Sequence, residues 1–387
     1  MRPGLTLTIC AGLLGIGPVL AQENTKPTAP SAFNCDNIQR SPSKSFYENS
    51  ETYKDPVDDS AAWNEAPPAS QNMEQAELKK ASWRLGLHPL MRSFLVIRNN
   101  KLVFERYYWG ASRHNSYNVH SASKSIWGAA VGVAIDKHLI PSVDAEIAAL
   151  LPKKYADLMD SQKKKITVKQ LLTMSSGLKW TEDQTEYRIE KQPDWVGEII
   201  KLPVEAAPGT QFNYSTGNSH LVSAILAQTA KQTGCQFIHA NILAKIGVVA
   251  EHWGSDPDGY FSGGYNLYLT PRELAKFGLL YLNNGKWNGE QVVPSEWVSQ
   301  SMSNWVTDSM TKHLPEDERS PYGYFFWLSN IAGHNVAIAW GHGGQMIYII
   351  KDLNMVVVMT TKTILFLKRS DNYGDKIMEK YVIPAAK

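Results

Sequence analysis

Ser121-Ala-Ser-Lys124, within Val119-His-Ser-Ala-Ser-Lys-Ser-Ile-Trp-Gly128, sets a hydroxyl and an amine three residues apart. On a helix that spacing puts both on one face, within hydrogen-bond reach. A serine hydroxyl is a weak nucleophile until a neighbouring base takes its proton. A lysine serves as that base when burial lowers its pKa towards neutrality. The Ser-x-x-Lys pattern occurs five times, starting at Ser41, Ser121, Ser161, Ser176 and Ser309. Only Ser121 follows a strand-like stretch and opens a long apolar helix, Ile126 to Ile135. A helix starting at the serine aims free backbone N–H groups and a positive dipole end at the reacting oxygen. The plain alternative is a serine capping a core helix, with Lys124 in solvent.

Two other stretches carry residues of the right kind. Gly209-Thr-Gln-Phe-Asn-Tyr214-Ser-Thr-Gly-Asn218 puts a tyrosine in a turn-rich loop before the apolar helix Leu221 to Ala227. Trp340-Gly-His342-Gly-Gly-Gln345 opens a strand with a histidine and three glycines, a density that lets a ligand approach the backbone. Each residue also has an ordinary reading. Tyr214 and His342 serve equally as packing residues, Gly343 and Gly344 as a bulge, and Asn218 as a helix cap. Trp180 and Tyr265 read as core residues, with a cleft wall as the alternative.

The elements that must position these groups are legible in outline. Ser70 or Asn72 caps a first helix running through Leu85. Phe94-Leu-Val-Ile-Arg98 and Lys101 to Tyr108, joined by Asn99-Asn100, form a β-hairpin. Thr167-Val-Lys-Gln170 and Thr270-Pro-Arg-Glu273 are capping boxes, with Gly177 predicted to stop the first of these helices and Asn283-Asn-Gly285 the second. Tyr322 to Leu328, Val336 to Trp340, Gln345 to Ile350 and Met355 to Thr360 read as four strands, and Asp371 to Val382 as a terminal helix. A hairpin near the start and strands near the end thus bracket a mostly helical middle. The simplest packing is one antiparallel sheet built from both ends of the chain, flanked by the first and last helices, with an inserted helical lobe: an α+β fold, α/β in some schemes.

With 387 residues the chain has ample material for a core, and its formal charge of +2 comes with no basic tract that would suggest nucleic acid. Residues 1–21 read as a secretory signal: Arg2, an apolar run from Leu5 to Val19, and the small-residue site Val19-Leu-Ala21. A retained anchor is the alternative, although the apolar run is short for a membrane span. Residues 22–70, rich in Pro, Ser, Asn and Thr, read as an extension, leaving 71–387 as the main domain. Export to a periplasmic or extracellular setting would leave Cys35 and Cys235 where a disulfide can form. Pairing and two free thiols are both open. No cysteine cluster has metal-ligand spacing.

Taken together, these stretches resemble the serine β-lactamase and penicillin-binding protein superfamily. The chain is most similar to the class C branch, which also holds DD-peptidases, family VIII esterases and 6-aminohexanoate-dimer hydrolases. The resemblance runs from about Leu85 to Ile383 and rests on Ser121-Ala-Ser-Lys124, Leu171-Leu-Thr-Met-Ser-Ser-Gly-Leu-Lys-Trp180, Pro208-Gly-Thr-Gln-Phe-Asn-Tyr-Ser215 and Gly341-His-Gly-Gly344. It implies a β-lactamase/transpeptidase-like fold with Ser121 as the acyl-accepting nucleophile, Lys124 as its base and Tyr214 as the proton relay to the leaving group. It also implies an oxyanion hole from the N–H groups of Ser121 and Gln345, and His342 in the place of the lysine of a Lys-Thr-Gly motif, followed by Gly343 and Gly344. Class C enzymes carry Tyr-x-Asn, where the asparagine helps hold substrate. Here Thr216 takes that place. Both departures lean towards the esterase and amide-hydrolase branch.

The resulting expectation is an exported serine hydrolase acting through an acyl-enzyme on a small ester or amide, with no metal or cofactor. β-Lactamase or DD-peptidase activity is one alternative; a non-catalytic relative that binds peptidoglycan or protein is another, suggested by the long extension and altered motifs.

Overall fold

The computed structural model describes residues 63–250, 252–363 and 373–387, together with Cys35 and the backbone of Thr52 and Tyr53. The expected signal sequence, most of the expected extension and the start of the expected terminal helix at Asp371 lie outside these residues. Within unit Asn34–Lys387 the framework is a six-stranded antiparallel sheet. Its strands are β1 (Met91–Arg98), β2 (Lys101–Tyr107), β3 (Trp327–Ile331), β4 (His334–Gly341), β5 (Gln345–Ile350) and β6 (Met355–Thr361). The spatial order is β2-β1-β6-β5-β4-β3, so the hairpin from the start of the domain pairs directly with the last strand. Register is fixed through Val96↔Val357, Tyr348↔Val357 and Tyr348↔Ile338.

The β1–β2 hairpin closes through Asn99 and Asn100, both at positive φ, as a tight turn between right-twisted strands demands. Alternation then sorts the strands' side chains onto two apolar faces. On one, Phe94, Val96, Met346, Tyr348, Met355 and Val357 pack against Leu78, Ala81 and Leu85 of helix α1 (Gln75–Gly86) and Ile377, Met378, Val382 and Ile383 near the C-terminus. The intervening residues Leu95, Ile97, Ile347, Ile349, Val356 and Val358 are equally buried. Burial on both faces explains why these strands read as continuous apolar runs rather than alternating ones.

Between β2 and β3 lies the helical lobe. Its main elements here are α2 (Ser123–Asp136), α3 (Val168–Leu172), α4 (Gln184–Ile189), α5 (Thr216–Ala230) and α6 (Pro271–Leu282). Both capping boxes form: Thr167 with Gln170 opens α3, and Thr270 with Glu273 opens α6, with Pro271 at the first helical position. Helix α6 packs against β5 and β6 and joins the lobe to the sheet.

Several boundaries differ from the sequence reading. Helix α1 begins after Glu74 rather than at Ser70 or Asn72, because Pro68–Gln71 forms a separate 3-10 turn that ends on Asn72 in the left-handed region. Helix α3 stops at Leu172, so Gly177 lies in the following loop and terminates no helix. The aromatic run Tyr322–Phe326 is not a strand; the strand starts at Trp327, and Phe325 takes positive φ, which a continuous strand does not allow. The terminal helix is broken into Tyr373–Ile377, a π-turn Met378–Val382 and Ile383–Ala385. Among the described residues no helix is long and apolar enough to cross a membrane.

Cys35 and Cys235 are joined in a disulfide spanning 200 residues of sequence, with Cys235 buried in the first turn of the short helix Gly234–Ile238. Closing so long a loop restricts the unfolded chain and stabilises by about 5 kcal/mol in the chain-entropy description. We expect Cys235→Ser to lower the urea midpoint of unfolding substantially. Dithiothreitol should lower the wild type by the same amount and leave the variant unchanged; a wild type indifferent to reduction would contradict the linkage.

Candidate active site

Ser121 sits in a 3-10 turn, His120–Ala122, that runs directly into α2. The chain enters this turn with His120 at φ 46°, a left-handed conformation costly for a histidine. The buried Asn118 side chain holds it there: its Oδ1 accepts the His120 N–H at 3.0 Å and the Asn266 N–H at 3.0 Å, and its Nδ2 donates to Asn266 Oδ1 at 3.0 Å. Helix α2 is pinned in turn, with Ser125 donating to the Phe325 carbonyl at 2.7 Å and Trp127 to the Ser262 carbonyl at 3.0 Å.

Lys124, one residue into α2, is 1% exposed. Its Nζ lies 2.9 Å from Ser121 Oγ and 2.9 Å from Thr216 Oγ1, and 4.9 Å from the centroid of the Tyr214 ring. The spacing expected of the Ser-x-x-Lys pair is therefore realised, and the alternative of a solvent-exposed amine is excluded. Gly264 forms the opposing wall. A Cβ there would stand 2.7 Å from Lys124 Nζ and 2.9 Å from Thr216 Cγ2, so no larger residue fits while the amine keeps its place.

Tyr214 and Thr216 arrive together at the start of α5, whose cap is Ser215: its side chain accepts the Asn218 N–H. Asn218 is thus not the cap; its side chain is buried and accepts a hydrogen bond from Ser176 at 2.8 Å. Tyr214 is stacked on Trp327 at 5.2 Å and stands edge-on to Tyr322. Burial raises its phenol pKa, and the nearby Lys124 pulls the other way. The phenol remains protonated at neutral pH.

His342, Gly343 and Gly344 lie in the turn between β4 and β5, within the gap that the sequence reading left between its strands Val336 to Trp340 and Gln345 to Ile350. Gly343 at φ 79° and Gly344 at φ 102° adopt conformations that glycine alone takes readily, which is the reason for that turn's composition. The His342 ring stands 5.7 Å from that of His120, which brings this turn beside the Ser121 turn. Burial lowers the His342 pKa. Gln345, fully buried, opens β5 opposite Gly341. Its side chain donates to the Thr361 carbonyl at 2.8 Å, and Thr361 Oγ1 donates to the Gly343 carbonyl at 2.5 Å, fixing both ends of the turn to β6.

Glu182 was not anticipated. Its carboxylate accepts the Thr216 backbone N–H at 3.0 Å and the Trp180 indole N–H at 2.5 Å, and also binds the Thr216 hydroxyl. No spacing or motif in the sequence marks it, since it lies in a polar segment 34 residues before its partner. Trp180 and Tyr265 are both buried and border a small cavity of about 10 Å³ with Glu186, whose carboxyl is pushed well above the usual range by burial and by the neighbouring Glu182 and Glu190. Among the described residues no group of three or more metal-ligating side chains is assembled.

A half-buried serine hydrogen-bonded to a buried lysine, set where a helical lobe meets an antiparallel sheet, defines a serine hydrolase. The chain belongs to the Beta-lactamase family, whose model matches residues 87–372. It is 27% identical over 322 residues to an uncharacterised protein of Alkalihalophilus pseudofirmus, covering 74% of this chain and 90% of that protein. It is 23% identical over 279 residues to a 6-aminohexanoate-dimer hydrolase of Paenarthrobacter ureafaciens, covering 66% of this chain and 68% of that enzyme. Among solved structures it is similar to EstCE1, a hydrolase with promiscuous acyltransferase activity, with a TM-score of 0.61 at 14% identity, covering 79% of this chain and 98% of that one. These confirm the β-lactamase/transpeptidase-like α+β fold expected from the sequence.

Two outcomes follow from this geometry. Gly264→Ala should cut hydrolysis of an activated ester by about 10²-fold by displacing the Lys124 amine; an unchanged rate would show that the amine's position is unimportant. His120 is 1% exposed, and burial together with the facing His342 and Lys124 charges lowers its pKa from 6.5 to about 3. Below pH 6.5 the unfolded chain therefore takes up a proton that the folded one refuses, and stability falls as pH drops from 6.5 towards 3, by at most about 1.4 kcal/mol per pH unit. Urea midpoints measured at pH 7 and 4.5 should fall less for His120→Asn than for the wild type. Parallel losses would rule out this histidine as a source of acid instability.

Proposed function

We propose that the protein is an exported hydrolase of small esters or amides that works through an acyl-enzyme on Ser121. The observation that carries this reading is the Lys124 amine, buried and 2.9 Å from Ser121 Oγ. As Ser121 Oγ attacks the substrate carbonyl, its proton passes to Lys124. Negative charge collects on the carbonyl oxygen, where the N–H groups of Ser121 and Gln345 receive it. Collapse of that intermediate expels an alcohol or amine, which takes its proton from Lys124 by way of Tyr214. Water then attacks the acyl-enzyme by the reverse route, releasing a carboxylic acid and restoring the serine.

An ester or amide is favoured over a β-lactam by two substitutions. His342, its pKa lowered by burial, stands where a β-lactamase has a charged lysine, and Thr216 has its hydroxyl engaged inward with Lys124 and Glu182. The dimer hydrolase and the hydrolase with acyltransferase activity among its relatives fit the same reading. The secretory character of residues 1–21 supports export, as does the Cys35–Cys235 disulfide, which suits an oxidising compartment.

A fluorophosphonate probe should label Ser121, and nitrophenyl acetate or butyrate should be cleaved. Ser121→Ala and Lys124→Ala should each lower kcat by more than about 10³-fold. Labelling that survives Ser121→Ala, or a folded wild type that neither labels nor cleaves, would overturn the proposal.

A further inference from the structure

We propose that Glu182 is a positioning residue that fixes the direction of the hydrogen bonds around Lys124, acting through Thr216. The inference rests on the catalytic reading of Ser121 and Lys124 above. A continuous chain links four side chains: Ser121 Oγ to Lys124 Nζ at 2.9 Å, Lys124 Nζ to Thr216 Oγ1 at 2.9 Å, and the Thr216 hydroxyl to the Glu182 carboxylate. The carboxylate is itself held by the Thr216 backbone N–H and the Trp180 indole.

The end of this chain determines its polarity. A carboxylate only accepts hydrogen bonds, so the Thr216 hydroxyl must donate to it. That hydroxyl has one proton, and its remaining role towards Lys124 is to accept. One N–H of the amine is therefore committed to Thr216. The neutral amine that takes up the serine proton has two N–H groups and one lone pair, so with one N–H on Thr216 the other N–H and the lone pair remain for the Tyr214 and Ser121 sides, and the lone pair is free to face Ser121 Oγ. Without the carboxylate the threonine hydroxyl is free to rotate and donate to that lone pair, in direct competition with Ser121. The groups that face the amine are Ser121, Tyr214 and Thr216, with the titratable groups Glu182, Glu186 and His120 further out. Of these, Glu182 alone both bonds Thr216 and is anchored independently of it, through Trp180.

The test is steady-state kinetics on a nitrophenyl ester with Glu182→Gln, Thr216→Val, Thr216→Ser and the Glu182→Gln/Thr216→Val double variant, each checked for folding by its thermal midpoint. We expect kcat to fall about 10–100-fold in Glu182→Gln and in Thr216→Val while KM stays within about threefold. Thr216→Ser, which keeps the hydroxyl, should retain kcat within about threefold. The double variant should be no slower than the slower single, because either change alone breaks the chain. A Glu182→Gln enzyme with unchanged kcat, a double variant whose loss is the product of the single losses, or a serine variant as slow as the valine one would each overturn the proposal. If Glu182→Gln does not fold, the contrast between Thr216→Ser and Thr216→Val decides. Failure of the hydrolase reading is separate: the wild type would then leave Ser121 unlabelled by fluorophosphonate, whereas failure of this inference leaves wild-type labelling intact.

Discussion

A lysine amine enclosed by protein is the constraint around which this molecule is built. Removing such a group from water is costly unless its polar atoms find partners, and the penalty grows as the surroundings become drier. Here the partners are two hydroxyls, Ser121 and Thr216, with the Tyr214 ring alongside and Gly264 closing the remaining side. Gly264 admits no larger residue while the amine keeps its place. Ser121 comes with the amine through the 3-10 to α-helix junction. The other contacts come from distant segments, and much of the lobe's architecture can be read as the means of delivering them.

Delivery depends on hydrogen bonds between segments far apart in sequence. Asn118 ties the strained approach to Ser121 to Asn266, two residues beyond Gly264, so the nucleophile's turn and the wall behind the lysine are held by one side chain. Ser215 caps the 15-residue helix α5 and thereby sets the level at which Tyr214 and Thr216 enter the site. The sheet contributes the third edge. Gln345 and Thr361 clamp the His342–Gly344 turn against β6, a strand buried on both faces and so unable to shift cheaply. A pocket made this way is preorganised: the cost of orienting its groups is met during folding rather than at each turnover.

What the sequence revealed and what it concealed divide along physical lines. Local signals were reliable where the cause is local. The Asn99-Asn100 turn, the two capping boxes and strand β5 each depend on residues within a few positions of one another. Errors arose where long-range packing overrides local preference. Tyr322–Phe326 has strong strand propensity, yet Tyr322 is drawn into an aromatic cluster with Phe212, Tyr214 and Trp327, and that packing governs its backbone. Gly177 carries positive φ as a helix stop would, but a side chain there would collide with the Ala206 carbonyl, so its role is close approach between loops. The serine, lysine and tyrosine were legible because their surroundings form motifs. Asn118, Gly264 and Glu182 were not, because each is defined only by what lies opposite it in space.

The threonine at position 216, where the resemblance to class C enzymes implies an asparagine, shows how one such hidden residue makes sense of a visible one. An asparagine amide has separate donor and acceptor ends, so its orientation beside a lysine settles which atom faces the amine. A threonine hydroxyl carries both functions on one rotatable oxygen, and alone it leaves the polarity undetermined. Such a replacement therefore requires a neighbour of fixed polarity, and an acceptor-only carboxylate meets that need. Glu182 sits where the requirement places it, held by an indole and a helix-terminal N–H so that its oxygens point at the hydroxyl. Thr216 and Glu182 thus work as one unit in this structure, since neither completes the lysine's surroundings alone.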